Sequence, residues 1–151
     1  MQKILFVCLG NICRSPLAEG IMLYLRSKHN LELEIDSAGT ANYHVGEAPD
    51  KRTIVNAKKN GIDLSNLRAR QFTASDFDYF DKIYVMDKAN LKNVSALAKH
   101  ESHWKKVELF LNNGNHQNQE VPDPYYGTEK NFEEVFQLLY KACEELVKDF
   151  R

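Results

Sequence analysis

The chain has 151 residues, 43% of them apolar and 27% charged, and a formal net charge of −1. That length suits one domain around one core, and the near-neutral charge gives a nucleic-acid partner no general electrostatic support. No apolar run approaches the roughly 20 residues that a membrane span needs. Met1–Cys8 is too short for a secretory leader and reads as a strand, so the expected location is the cytoplasm.

Taken in chain order, the elements alternate. Ile4–Cys8 is a short apolar run, as in a strand buried on both faces. Ser15-Pro16 opens a helix, with Ser as N-cap and Pro at the first helical position. Leu17, Ala18, Ile21, Met22 and Leu25 follow at helical spacing. Leu31–Ile35 reads as a second strand, closed by Ser37-Ala38-Gly39-Thr40. A helix over about 50–59 stops at Asn60-Gly61. Lys82–Met86 is a third strand, and Asp87 caps a helix over 88–98. Val107–Leu111 is a fourth strand. Residues 112–120 read as a polar surface loop. A final helix spans about 131–148, with Phe132, Val135, Phe136, Leu139, Cys143, Leu146 and Val147 on one face. No repeat, low-complexity stretch or linker divides the chain, so a single domain over 1–151 is expected. The fold class is α/β: a small doubly wound four-stranded parallel sheet with helices on both faces. In such folds ligands bind beyond the carboxyl ends of the strands, which places the site after Cys8.

The three cysteines, Cys8, Cys13 and Cys143, are too few and odd in number for a disulfide framework. Cys8 and Cys13 have no nearby His to complete a zinc set, so no metal and no other cofactor is expected. His29, His44, His100, His103 and His116 show no ligand spacing. His100 and His103, beside Trp104, are expected in a solvated loop.

The chemistry is concentrated in Cys8-Leu9-Gly10-Asn11-Ile12-Cys13-Arg14-Ser15-Pro16, between a buried strand and a helix N-terminus. A loop of this length can aim its backbone N–H groups at one centre, forming a nest for a phosphate-like anion. Gly10 and Asn11 both tolerate left-handed backbone angles. Arg14 supplies a planar fork for two phosphate oxygens, which Lys cannot match. A helix N-terminus and a nearby guanidinium favour the thiolate of Cys8, the nucleophilic form. Ser15 is placed to donate a hydrogen bond to it. Neither nucleotide-binding glycine pattern is present.

Transfer of phosphorus to sulfur leaves an oxyanion that a positioned acid can protonate. The candidate is Asp123, in Val121-Pro122-Asp123-Pro124-Tyr125-Tyr126-Gly127, where prolines on both sides stiffen the backbone. Tyr125 and Tyr126 could wall a slot for an aromatic ring. Asp87 is read as a helix cap, with bracing of the site as its alternative, and Cys143 as a core residue.

These segments, with Asp36-Ser37-Ala38-Gly39-Thr40, Arg68-Ala69-Arg70-Gln71 and Met86-Asp87, resemble the low-molecular-weight protein tyrosine phosphatase family over nearly the whole chain. The resemblance implies hydrolysis of phosphotyrosine in proteins through a cysteinyl-phosphate on Cys8, without metal. Asp123 would act as acid, then as base. It implies that Asn11, Ser15 and Ser37 hold the loop by hydrogen bonds, that Tyr43 lies on the rim of the cleft, and that Cys13 is a redox partner of Cys8. Where family members often carry a supporting His, this chain has Leu67.

Four other activities share parts of this pattern. An arsenate reductase needs a relay of further cysteines, absent from residues 14–142. Protein-arginine phosphatases of this family have Thr at the position of Ile12 and lack the paired tyrosines. A sugar-transport phosphocarrier would not need Asp123. A non-catalytic phosphotyrosine-binding module would not need Cys, Arg and Asp together. Phosphohistidine and small phosphate esters stay open as substrates.

Overall fold

The computed structural model describes residues 1–112 and 119–151. Four parallel strands form the sheet: β1 (Gln2–Cys8), β2 (Leu33–Gly39), β3 (Lys82–Val85) and β4 (Val107–Leu109), in the order β2-β1-β3-β4. The order reverses at β1, whose neighbours precede and follow it in the sheet. Its carboxyl end is therefore the switch point where a parallel sheet opens a crevice.

The alternation of β1 divides the core. Ile4, Phe6 and Cys8 face one side, under α1 (Arg14–His29) and α6 (Glu129–Val147), and α2 (Lys51–Lys59) packs on α6. Leu5 and Val7 face the other, with Phe72, Phe77, Phe80 and Val94, beneath α3 (Asp76–Tyr79) and α4 (Lys88–Ser95). A strand apolar on every residue is what burial on both faces demands. The one-turn helix α5 (Glu101–Trp104) precedes β4. Among the described residues no helix is long and apolar enough to cross a membrane.

Several boundaries differ from the sequence reading. The first helix begins at Arg14 with Cys13 as N-cap, so Ser15 is not the cap. Its hydroxyl is engaged by Cys8 and Asn11 instead. Pro16 is in the first turn, where its missing N–H breaks no helical bond. The second strand starts later and runs through Ser37-Ala38-Gly39, because those residues pair with Phe6, Val7 and Cys8. The fourth strand stops at Leu109, and Phe110–Asn112 form a 3₁₀ turn. The fourth helix ends at Ser95, and the last begins at Glu129 behind a Thr128–Asn131 capping box.

The solvated-loop reading holds for His100, which is exposed ahead of α5, and is corrected for His103. His103 is buried and stacks on Phe77 with ring centroids 4.6 Å apart. Its Nδ1 accepts from the Lys99 amide at 3.2 Å, so the ring hydrogen is on Nε2, 3.2 Å from Asp78 Oδ1. Cys143 is fully buried in the main core, as read. Of the polar stretch 112–120, residues 113–118 lie outside the described residues.

Candidate active site

The segment between β1 and α1 forms a tight loop at the carboxyl end of the sheet. Asn11 takes a left-handed conformation, φ 57°, as a short polar side chain permits. Gly10 does not; its lack of a side chain serves space instead. A Cβ there would stand 3.2 Å from His44 Cδ2. Gly39 sustains the closest approach: a Cβ would meet Leu9 O at 2.8 Å and Asn11 N at 3.1 Å. The end of β2 can thus lie directly under the loop, with Thr40 and Ala41 donating their amides to Cys8 and Leu9.

Among the described residues no protein acceptor takes the amide N–H groups of residues 9–13. Leu9, Gly10, Ile12 and Cys13 line one cavity with Cys8 at the N-terminus of a 16-residue helix, a setting that suits an anion. Cys8 lies at the floor, 3% exposed, with its sulfur 3.0 Å from Ser15 Oγ. Asn11 Nδ2 donates to Ser15 Oγ at 2.7 Å and to Ser37 Oγ at 2.9 Å, and Asn11 Oδ1 accepts from the Arg70 amide at 3.0 Å. The support expected from Asn11, Ser15 and Ser37 is thus a connected network. Leu67 is packed against the main core.

Arg14 is buried beside the cavity. Its Nη1 donates to Asp87 Oδ2 at 2.7 Å and to the Val121 carbonyl at 2.9 Å. Its Nη2 is 3.7 Å from Asp123 Oδ2. Burial alone would lower the guanidinium's pKa, but Cys8, Asp87 and Asp123 outweigh it and hold that pKa raised. Asp87 fills both roles weighed for it: Oδ1 caps α4 through the Asn90 amide at 2.7 Å, while Oδ2 holds Arg14.

Asp123 is about half exposed, and its Oδ1 accepts from the Tyr125 amide at 3.1 Å. This local turn, between Pro122 and Pro124, aims the carboxylate towards Arg14 and the mouth of the loop. A cavity of about 300 Å³ is lined by Cys8, Leu9, Gly10, Ile12, Cys13, Arg14, Tyr43, His44, Asp123, Tyr125 and Tyr126. The tyrosines 125 and 126 stand nearly perpendicular, with centroids 4.9 Å apart. Tyr43 is on the exposed rim. Burial pushes the Cys13 thiol up to about 12, with Thr53 opposing and Asp50, Cys8 and Asp123 adding. It is therefore a neutral thiol next to the floor. Among the described residues no group of three or more His, Cys, Asp or Glu is placed to hold a metal ion.

The sequence model of the low molecular weight phosphotyrosine protein phosphatases matches residues 3–151. The chain belongs to that family. Among the phosphatases it resembles is the Bacillus subtilis low molecular weight protein-tyrosine-phosphatase YfkJ, 41% identical over 97% of this chain and 94% of that one. The human low molecular weight phosphotyrosine protein phosphatase is 39% identical over 94% of this chain and 91% of that one. The crystal structure of a protein tyrosine phosphatase from Entamoeba histolytica, with Hepes in its active site, superposes with a TM-score of 0.92. It is 39% identical and covers 98% of this chain and 96% of that chain. The four-stranded parallel sheet with helices on both faces is the architecture of these phosphatases.

Two residues of this phosphatase's site were not singled out from the sequence. His44 forms a wall of the cavity and is tied to Glu47 through Nδ1 at 3.2 Å. No local signal marks it, because its position depends on a distant turn folding over Gly10. Glu19, buried on α1, accepts from Ser37 Oγ at 2.5 Å. Its four-residue spacing from Ser15 was legible, since that interval puts both on one helix face.

Proposed function

We propose that the protein hydrolyses phosphotyrosine in protein substrates through a phosphocysteine on Cys8. The observation that carries this reading is the loop itself: Cys8, Arg14 and loop residues whose amides have no protein acceptor line one cavity. The phosphoryl group of a bound ester takes the place that this loop offers to a tetrahedral anion. Arg14 and the amides hold its equatorial oxygens, where charge grows in the transition state. The Cys8 sulfur attacks phosphorus, the bond from phosphorus to the tyrosyl oxygen breaks, and Asp123 gives that oxygen its proton. In the second step Asp123 takes a proton from water, the water oxygen attacks phosphorus, and the S–P bond breaks with Cys8 leaving as thiolate. Ser15 donates to that thiolate.

Preference for an aryl ester follows from the walls. Cys8 lines a slot edged by Tyr43, Tyr125 and Tyr126, and these rings suit a phenyl ester better than a short alkyl one. Ile12 and the two tyrosines add apolar contact to a phenyl ring. The reading extends to the cytoplasm as working compartment. It is supported by three free cysteines, one of them the nucleophile, which an oxidising compartment would not keep reduced.

The test compares kcat/KM on one peptide carrying phosphotyrosine, phosphoserine or phosphoarginine, with wild type and Cys8→Ser. Preference for phosphotyrosine is expected, with turnover abolished but anion binding kept in Cys8→Ser. Equal rates on the three peptides would end the specificity argument, and turnover by Cys8→Ser would end the mechanism.

A further inference from the structure

A second cavity, of about 330 Å³, opens between α2 and the start of α6, with Lys51, Arg52, Val55, Lys59, Glu129 and Phe132 in its lining. No step of the hydrolysis uses these residues. Val55 is apolar yet 56% exposed, and Phe132 is buried. The aliphatic stems of Lys51, Arg52 and Lys59 add to their surface, so the wall is apolar while the rim is charged.

The charges on the rim are unevenly paired. Arg52 is held by Asp50 through two bonds, Nε to Oδ1 at 3.0 Å and Nη2 to Oδ2 at 2.9 Å, and Lys59 Nζ by Glu129 at 2.6 Å. Lys51 is exposed and, among the described residues, has no ion-pair partner. A carboxylate arriving from outside the chain meets an open cation there.

One layer of side chains joins this cavity to the catalytic slot. The Arg52 guanidinium is 4.7 Å from the Phe132 ring centroid and 5.4 Å from that of Tyr125, which lines the slot. The two ring centroids are therefore at most about 10 Å apart, a span that extended chain crosses in about three residues. We propose that the second cavity is a subsite for the substrate peptide: it takes an apolar side chain about three residues from the phosphotyrosine, and Lys51 takes a carboxylate next to that side chain. Such a subsite rests on the reading of phosphotyrosine proteins as substrates, and it names which of them are preferred.

The dephosphorylated peptide leaves before water attacks the phosphocysteine. Flanking residues therefore act on capture and on the first transfer, and they appear in kcat/KM rather than in a kcat limited by the second step. A small aryl phosphate has no flanking residues and bypasses the subsite.

The test is kcat/KM for phosphotyrosine peptides of Ala and Ser in which one Leu is moved, position by position, along both sides of the phosphotyrosine. Leu should raise kcat/KM roughly five- to tenfold at about three residues on one side, as partial burial of its side chain provides. A Glu beside that Leu should add about two- to fourfold, lost at high salt. Val55→Glu puts a charge into the wall at an exposed helical position. It should abolish the Leu effect and leave kcat/KM on phenyl phosphate within about twofold of wild type. Lys51→Gln should abolish the Glu effect and keep the Leu effect. A flat profile along the peptide, or a Leu preference that survives in Val55→Glu, would overturn the subsite while phosphotyrosine hydrolysis stands. A Leu preference that fades as enzyme concentration rises would overturn it too, by giving the groove to a second copy of the chain. Turnover of phenyl phosphate with no turnover of any phosphotyrosine peptide would overturn the reading of the substrate, and the subsite with it.

Discussion

Asp87 joins two tasks in one carboxylate, and replacing it by Ser separates them. Ser is as good an N-cap as Asp, so α4 keeps its start. It is too short to reach Arg14. What is lost is the 2.7 Å charge-assisted bond to a guanidinium whose side chain is 3% exposed. Removing one partner of a fully buried pair costs roughly 3–5 kcal/mol. Here Asp87 is 21% exposed, and the Val121 carbonyl and Asp123 remain near Arg14, so the cost should be about 2 kcal/mol. If Arg14 is needed in the transition state in that same orientation, kcat/KM on an aryl phosphate should fall roughly thirtyfold. Asn90→Ala supplies the contrast. It removes the reciprocal bond of the capping box and leaves the Arg14 pair in place. It should cost about 1 kcal/mol in urea unfolding and leave kcat/KM nearly unchanged. Asp87→Ser with kcat/KM within twofold of wild type, or Asn90→Ala losing as much activity as Asp87→Ser, would refute the argument.

The raised Glu19 carboxyl also predicts a pH-dependent stability. Its folded value of about 7 exceeds the ordinary 4.5, so the folded state binds the proton more tightly, and stability is lost as pH rises through that window. Glu19→Gln should therefore gain on wild type by up to about 3 kcal/mol between the two values and plateau above them, measured by urea unfolding across pH. A constant difference across pH would contradict it. Mild peroxide should inactivate the enzyme reversibly, with a Cys8–Cys13 disulfide seen by mass spectrometry. Cys13→Ser recovering as fully as wild type would exclude that protective role.

Much of the site was legible because it is local. Cys8 to Arg14 is one uninterrupted loop, and Asp123 is marked by its flanking prolines. The strand β2 was less so. Asp36-Ser37-Ala38-Gly39 has the composition of a turn, but Asp36 pairs with Arg70, Ser37 bonds Asn11, and Gly39 is required by the loop above it. Tertiary contacts therefore outweighed local propensity there. His103 looked solvated because its partners, Phe77 and Asp78, come from a different segment. His44 was silent for the same reason. The double role of Asp87 was readable only in its capping half, since the Arg14 contact spans 73 residues.

The proposed hydrolysis is a two-step transfer in which Asp123 first gives a proton to the leaving oxygen and then takes one from water. Asp123→Asn tests it with two substrates followed through the first turnover. A general acid is worth about 10²–10⁴ in rate, and its worth depends on how much the leaving group needs the proton. A loss of that order is expected on phosphotyrosine, with a far smaller loss in the first step for a phosphate ester of a very acidic alcohol. With that ester, a burst of alcohol should precede slow turnover as phosphocysteine accumulates on Cys8. Equal losses on both substrates without a burst would contradict it and reduce Asp123 to a turn residue.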